Sequence, residues 1–146
     1  MKIDTANAAA PGLLRRLAAI FYDAWLVAAI VLLGAMLDTL ARAMFEAHGF
    51  TTRLPLQAYL LLAPAFFFAW FWTHGGQTLG MRAWRLHLVA ADGGEVGWPQ
   101  AWLRVAGAWL SLLCLGLGYL WIWIDPERLA WHDRLSGTRL VIRAKE

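Results

Sequence analysis

The sequence predicts an α-helical membrane protein with two transmembrane helices, a third broken or re-entrant helical segment, and a small cytoplasmic β element. Three observations carry that reading. First, 60% of the 146 residues are hydrophobic and only 16% charged, with a mean hydropathy of +0.51, a balance that a soluble domain of this length rarely shows. Second, residues 17–37, 54–73 and 105–124 contain no Asp, Glu, Lys or Arg apart from Asp23, and each run has the roughly 20 residues that a bilayer core requires. Third, ten Trp and seven Phe suit the boundary between acyl chains and headgroups. The whole chain, 1–146, reads as a single membrane domain. Its net charge of +3 is expected to report topology, with the lipid bilayer as partner and no nucleic acid.

The first run opens after Arg15 and Arg16 and carries Asp23. It is longer than the roughly 7 to 15 residues of a signal-peptide core, so an uncleaved span is the better reading, although Ala41-Arg42-Ala43 loosely resembles a cleavage site. An ionisable group inside a span is a functional-site candidate by default. Arg16 and Asp23 are seven residues apart, nearly two helical turns, so they share a face with an axial separation of roughly 10 Å. That face should turn toward protein.

The second run begins with Pro55, tolerated in a first turn, and contains Pro64, which predicts a kink. Gly75 and Gly76 stop it. The third run is divided by Gly116 and Gly118. The basic residues decide its path: three precede the first run, two lie between the first and second, three fall within 74–104, and five follow Ile124. A single crossing by each run divides them almost evenly, whereas a third run that enters and returns leaves eleven on one side against two. The positive-inside bias therefore favours a re-entrant segment and cytoplasmic N- and C-termini. The competing reading is one straight span whose glycines pack against a neighbour.

Between and after the runs, residues 82–91 alternate and precede Asp92-Gly93-Gly94, while residues 138–143 form a second short strand. The two can pair. Asp125-Pro126 reads as a helix start, with Asp125 as N-cap, opening a helical stretch through Leu135. Cys114 is the single cysteine, so no intrachain disulfide or cysteine-based metal site is expected.

Three motifs in order carry a resemblance: Arg16-Leu-Ala-Ala-Ile-Phe-Tyr-Asp23, Gly76-Gln77-Thr78-Leu79-Gly80 before a basic alternating segment, and Trp131-His132-Asp133-Arg-Leu-Ser-Gly137-Thr138. Together, from about Pro11 to Ile142, they resemble the RDD family of bacterial membrane proteins, named for one Arg and two Asp. By motif these map to Arg16, Asp23 and Asp133. Met81 departs from the pattern, where the family often has Lys. The resemblance implies a multi-pass protein of the bacterial plasma (inner) membrane and a possible component of proton-coupled cation or small-solute transport, with H+ or a monovalent cation as the transported species.

Each candidate residue has a plainer alternative. Asp23 is read either as a proton or cation carrier oriented by Arg16, with Arg104 as a candidate partner, or as a structural tie between helices. Arg16 suits the cytoplasmic mouth of a first span in any case, and Asp133 can reach it only if the third segment turns back. His132-Asp133 invites a dyad, but adjacent helical residues diverge by about 100°, so surface or interfacial packing is favoured and no metal site is expected. His48, His74 and His87 are scattered over different segments. The stretch from Gly76 to Gly80 reads as a turn, since it lacks the Lys of a phosphate loop, and Ser111 as a hydroxyl bonded to its own helix. No nucleophile and base recur at usable spacing, so no enzyme activity and no cofactor are expected. The alternative to transport is a non-catalytic membrane module that assembles or stabilises other proteins, its Arg and Asp residues acting as internal ties. The transport role calls for a homo-oligomer or a partner membrane protein, because so few spans cannot enclose a pathway.

Overall fold

Residues 9–45 and 53–143 are described by the computed structural model of the chain; His48 and Lys145 lie outside them. The first apolar run forms a helix longer than the run itself, α1 (Leu13–Phe45), because Asp38 and Arg42 form an i,i+4 ion pair at 2.7 Å that carries the helix past the hydrophobic window. At about 1.5 Å per residue its 33 residues span roughly 50 Å. Helix α2 (Leu54–Thr73) matches the second run and continues through Pro64. These two helices are long and apolar enough to cross a membrane. They meet where Gly34 leaves room for the Tyr59 ring, whose hydroxyl donates to the Ile30 carbonyl at 2.6 Å.

After α2, Gly75 and Gly76 take left-handed conformations, φ +113° and +67°, and the chain turns into α3 (Leu79–Ala83). The expected strand over 82–91 is therefore shorter. Thr78 starts a helical turn by accepting the Met81 N–H at 3.1 Å, and Arg85, at φ +55°, separates that turn from β1 (Leu86–Ala90). β1 pairs antiparallel with β2 (Thr138–Ile142), in register from Leu86 opposite Ile142 to Ala90 opposite Thr138. The Gly76 carbonyl accepts the Leu88 N–H at 2.8 Å and the Gln77 side chain donates to the Leu86 carbonyl at 2.6 Å, so the turn after α2 is fastened to the free edge of β1.

The third apolar segment begins earlier than expected. Helix α4 (Trp98–Leu113) starts at Trp98-Pro99, with the Gln100 side chain accepting the Gly97 N–H, and carries Arg104 in its interior. It then breaks at Leu115 and Gly116, both at positive φ, into α5 (Leu117–Leu120) and a 3₁₀ turn (Trp121–Trp123), at an angle of 108° to α4. The third segment is thus bent and is not one straight helix. The fold seats the bend with Gly118, where an added Cβ would stand 2.0 Å from the Ser111 hydroxyl. Ser111 bonds its own helix at the Gly107 carbonyl, 2.8 Å away.

The helix expected from Asp125 does not form. Its carboxylate instead accepts the N–H groups of Glu127 and Leu129, at 3.2 and 2.9 Å, and pairs with Arg134, which closes a tight loop. Helix α6 (Trp131–Ser136) follows and ends at Gly137 in the left-handed conformation, φ +60°. The core lies where the first turns of α1, the end of α2, α3, the sheet and α4 converge, and includes Ala19, Ala69, Met81, Leu88, Ala101 and Val105. Met81 is 6% exposed; the position where a Lys is the familiar choice is here part of the apolar core. The later turns of α1 leave Leu32, Leu33 and Leu40 exposed, a surface suited to acyl chains.

Candidate functional site

Asp133 is the third residue of α6, a short helix whose buried residues are His132, Asp133 and Ser136. Its carboxylate is 1% exposed and is reached by two guanidiniums from different helices. Arg16 of α1 donates through Nη1 to Oδ2 at 2.6 Å, and Arg104 of α4 through Nη1 to Oδ1 at 2.5 Å. The Ala130 N–H adds a third bond, to Oδ2 at 2.9 Å. Each arginine is held in turn. Arg16 donates Nη2 to the Arg128 carbonyl at 2.9 Å and Nε to the Pro11 carbonyl at 3.3 Å. Arg104 also donates Nη1 to Thr138 Oγ1 at 2.8 Å, and its guanidinium lies 5.1 Å from the Trp72 ring centroid. The Ser136 and Thr138 hydroxyls share a bond of 2.7 Å, which links the cluster to β2.

The electrostatics follow from the burial. Desolvation raises the Asp133 carboxyl, but Arg104 and Arg16 outweigh it and hold the group below the usual carboxylate range. His132, expected in surface or interfacial packing, is 5% exposed. Burial first, and then the neighbouring Arg104 charge, push its imidazole down to about 3, so it is neutral at pH 7. Its Nε2 lies 3.7 Å from Asp133 Oδ1, too far for a hydrogen bond, and its ring packs on Tyr119 with centroids 4.8 Å apart.

Asp23 is 2% exposed on the face of α1 that also carries Arg16, as the seven-residue spacing requires. Its bonds go elsewhere. Thr78 Oγ1 donates to Oδ2 at 2.5 Å and the Gly80 N–H to Oδ1 at 2.8 Å. Gly80 is needed for this approach, since a Cβ there would stand 2.2 Å from the Ala19 carbonyl oxygen. Asp133 reaches Arg16, as a third segment that turns back allows, whereas the candidate pairing of Asp23 with Arg104 is not found among the described residues. The reason is positional: α3 lies against α1 at the depth of Asp23, whereas Arg104 is drawn to Asp133. The four sequence candidates therefore form two sites, one of Arg16, Arg104 and Asp133, the other of Asp23 with Thr78 and Gly80.

With that geometry, the match of residues 10–137 to the RDD family model acquires a physical meaning. The chain belongs to the RDD family. No curated protein and no solved structure matches the chain. In this RDD domain the first Arg and second Asp, Arg16 and Asp133, are joined directly across 117 residues of sequence, while the first Asp, Asp23, fastens the turn after α2. Of the motif residues, Thr78 and Gly80 bond Asp23 and Thr138 bonds Arg104, while Gly76 and Gln77 fasten the turn to β1 and Gly137 ends α6. Sequence reasoning missed Ser136, the Trp72 ring and the Arg128 carbonyl as members of the cluster. Of these only Ser136 left a signal, the helical spacing of His132, Asp133 and Ser136 on one side of a short segment.

Both sites open on one cavity of about 540 Å³ among α1, α2, α4 and the bend, with Arg16, Asp23, Arg104 and His132 in its wall. The rest of the wall is apolar, including Phe68, Trp72, Trp109 and Leu112. No group of three or more His, Cys, Asp or Glu positioned to hold a metal occurs among the described residues.

Proposed function

We propose that this RDD-family membrane domain is a non-catalytic assembly or stabilising module whose buried charges act as internal ties. The observation that carries this reading is the Asp133 carboxylate, shared by guanidiniums from α1 and α4 and capped by a backbone N–H. Such an arrangement commits both oxygens of Asp133 to protein donors. Asp23 is engaged likewise, by one hydroxyl and one backbone N–H. The domain resides in the bacterial plasma membrane with N- and C-termini in the cytoplasm, which agrees with the charge bias and with the contact that keeps the start of α1 beside α6. Its exposed α1 face meets lipid, a second copy or a partner membrane protein.

A second reading, proton-coupled cation transport, rests on one observation: Asp23 stands in the cavity wall with no arginine bonded to it. One experiment separates the two. Purified wild type, Asp23→Asn and Asp133→Asn are placed in liposomes with an internal pH dye and challenged with Na⁺ and K⁺ gradients, beside thermal unfolding in detergent. A module gives no gradient-driven pH change in any of the three and loses thermal stability in the variants. Cation-driven pH change in the wild type, abolished in an Asp23→Asn protein of unchanged stability, would replace the module with the carrier.

A further inference from the structure

We infer that the cavity among α1, α2 and α4 is a binding site for an amphiphile with an acyl chain and an anionic headgroup, the headgroup meeting Arg104. This goes beyond the module reading, which requires no ligand. The cavity volume of about 540 Å³ falls within the range of roughly 300–1,000 Å³ typical of small-molecule sites, and its build is the usual one, mostly apolar with a few polar groups at one place. Phe68, Trp109 and Leu112 supply the apolar wall.

Two independent observations give the headgroup its sign. Two buried guanidiniums share one carboxylate and His132 is neutral, so the Arg16–Asp133–Arg104 cluster itself carries an excess positive charge, an arrangement that favours an anion beside it; the Asp23 carboxylate in the same cavity wall is bonded separately, by Thr78 and Gly80. Arg104, 3% exposed and part of the cavity wall, is also incompletely bonded. Its hydrogen bonds both leave from Nη1, and its Nε has no partner among the described residues. The Nε–Nη2 edge thus free is the one that takes a carboxylate or phosphate through two parallel bonds. His132 Nδ1, in the same wall, lacks a partner as well. Arg16 has no such capacity, since all three of its nitrogens are engaged. A free fatty acid and an anionic phospholipid share this chemistry.

The test uses the full chain in phosphatidylcholine nanodiscs, with cis-parinaric acid as probe and energy transfer from the protein's tryptophans as readout. Ala108 lines the cavity one helical turn beyond Arg104, so Ala108→Phe narrows the chain-binding space without removing a residue of the charge cluster; Arg104→Lys keeps the charge and removes the two-pronged edge. Saturable binding is expected, weakened about tenfold or more by either substitution and by replacing the probe with its methyl ester. Competition by oleate against competition by phosphatidic acid identifies the free acid or the phospholipid as the occupant. Equal binding by wild type and a folded Ala108→Phe protein, equal binding of acid and ester, or displacement by neither competitor would overturn the inference.

Discussion

Asp133 accepts bonds from Arg16, Arg104 and the Ala130 N–H in a place that water does not reach. Removing its charge strands two buried guanidiniums, and breaking such a pair costs about 3–5 kcal/mol. Asp133→Asn should therefore unfold well below the wild-type temperature in detergent, followed by circular dichroism. Its neighbour makes a different prediction. The His132 imidazole is held near 3 by burial and the adjacent arginine, whereas in the unfolded chain it titrates near about 6.5. The unfolded state binds a proton that the folded state refuses, so stability is full above pH 6.5 and declines as the pH falls toward 3. Asp133, with its folded value below the usual carboxylate range, adds a loss only below the unfolded carboxyl value of about 3.9. Melting temperatures measured from pH 8 to 4 should decline more steeply for the wild type than for His132→Gln, the slope left in the variant coming from His87, which burial also holds below its usual value; the same slope in both would contradict a buried neutral imidazole at position 132. The triad was legible by motif and by the rarity of charge in apolar runs. The partners were not, because Thr78 and Ser136 are small hydroxyl residues whose role depends on which segments meet.

The elements show where periodicity carries information and where it stops. Helix α2 matched its apolar run residue for residue, since Pro55 and the Gly75-Gly76 pair are local signals at its two ends. Helices α1 and α4 outran theirs because charged residues were taken as boundaries. Asp38 and Arg42 pair along the helix, and Arg104 enters the core with a partner 29 residues away. The short α3, started by the Thr78 cap, takes Arg82 and Ala83, the first two residues of the expected strand; the cap signal is present in the sequence but weaker than the alternation after it. Contacts between elements depend on glycines that no periodicity marks. At Gly80 an added Cβ meets the Ala19 carbonyl at 2.2 Å, and at Gly107 one meets the His132 Cα at 2.9 Å. Gly80→Ala should cost about 1–3 kcal/mol or more by forcing α3 off α1, and should release Asp23 from the Gly80 N–H. Urea unfolding compared with Ala108→Gly, a change in the open cavity wall, isolates that packing effect.

For the molecule as a whole, two helices able to span and one segment bent by 108° are gathered at one end by the Arg16–Asp133–Arg104 cluster. The bend was foreseen from charge counts and from Gly116, since a straight third run divides the basic residues almost evenly. The angle depends on Gly118 packing on Ser111 and was not readable in one dimension. With the start of α1 and the tail on one side, a cysteine placed at Lys145 in a Cys114→Ser background should resist an impermeant maleimide in intact cells, while one at Thr51 should react. Labelling at Lys145 would reverse the assigned orientation.

Arg16 and Asp133 tie the first helix to the tail, and a double-mutant cycle measures that tie. Unfolding free energies are measured in detergent for wild type, Arg16→Gln, Asp133→Asn and the double variant. A direct tie predicts strong coupling: once either partner is gone, losing the other costs little, with an interaction energy of about 1–3 kcal/mol. Additive losses within about 0.5 kcal/mol would contradict the contact and the account built on it.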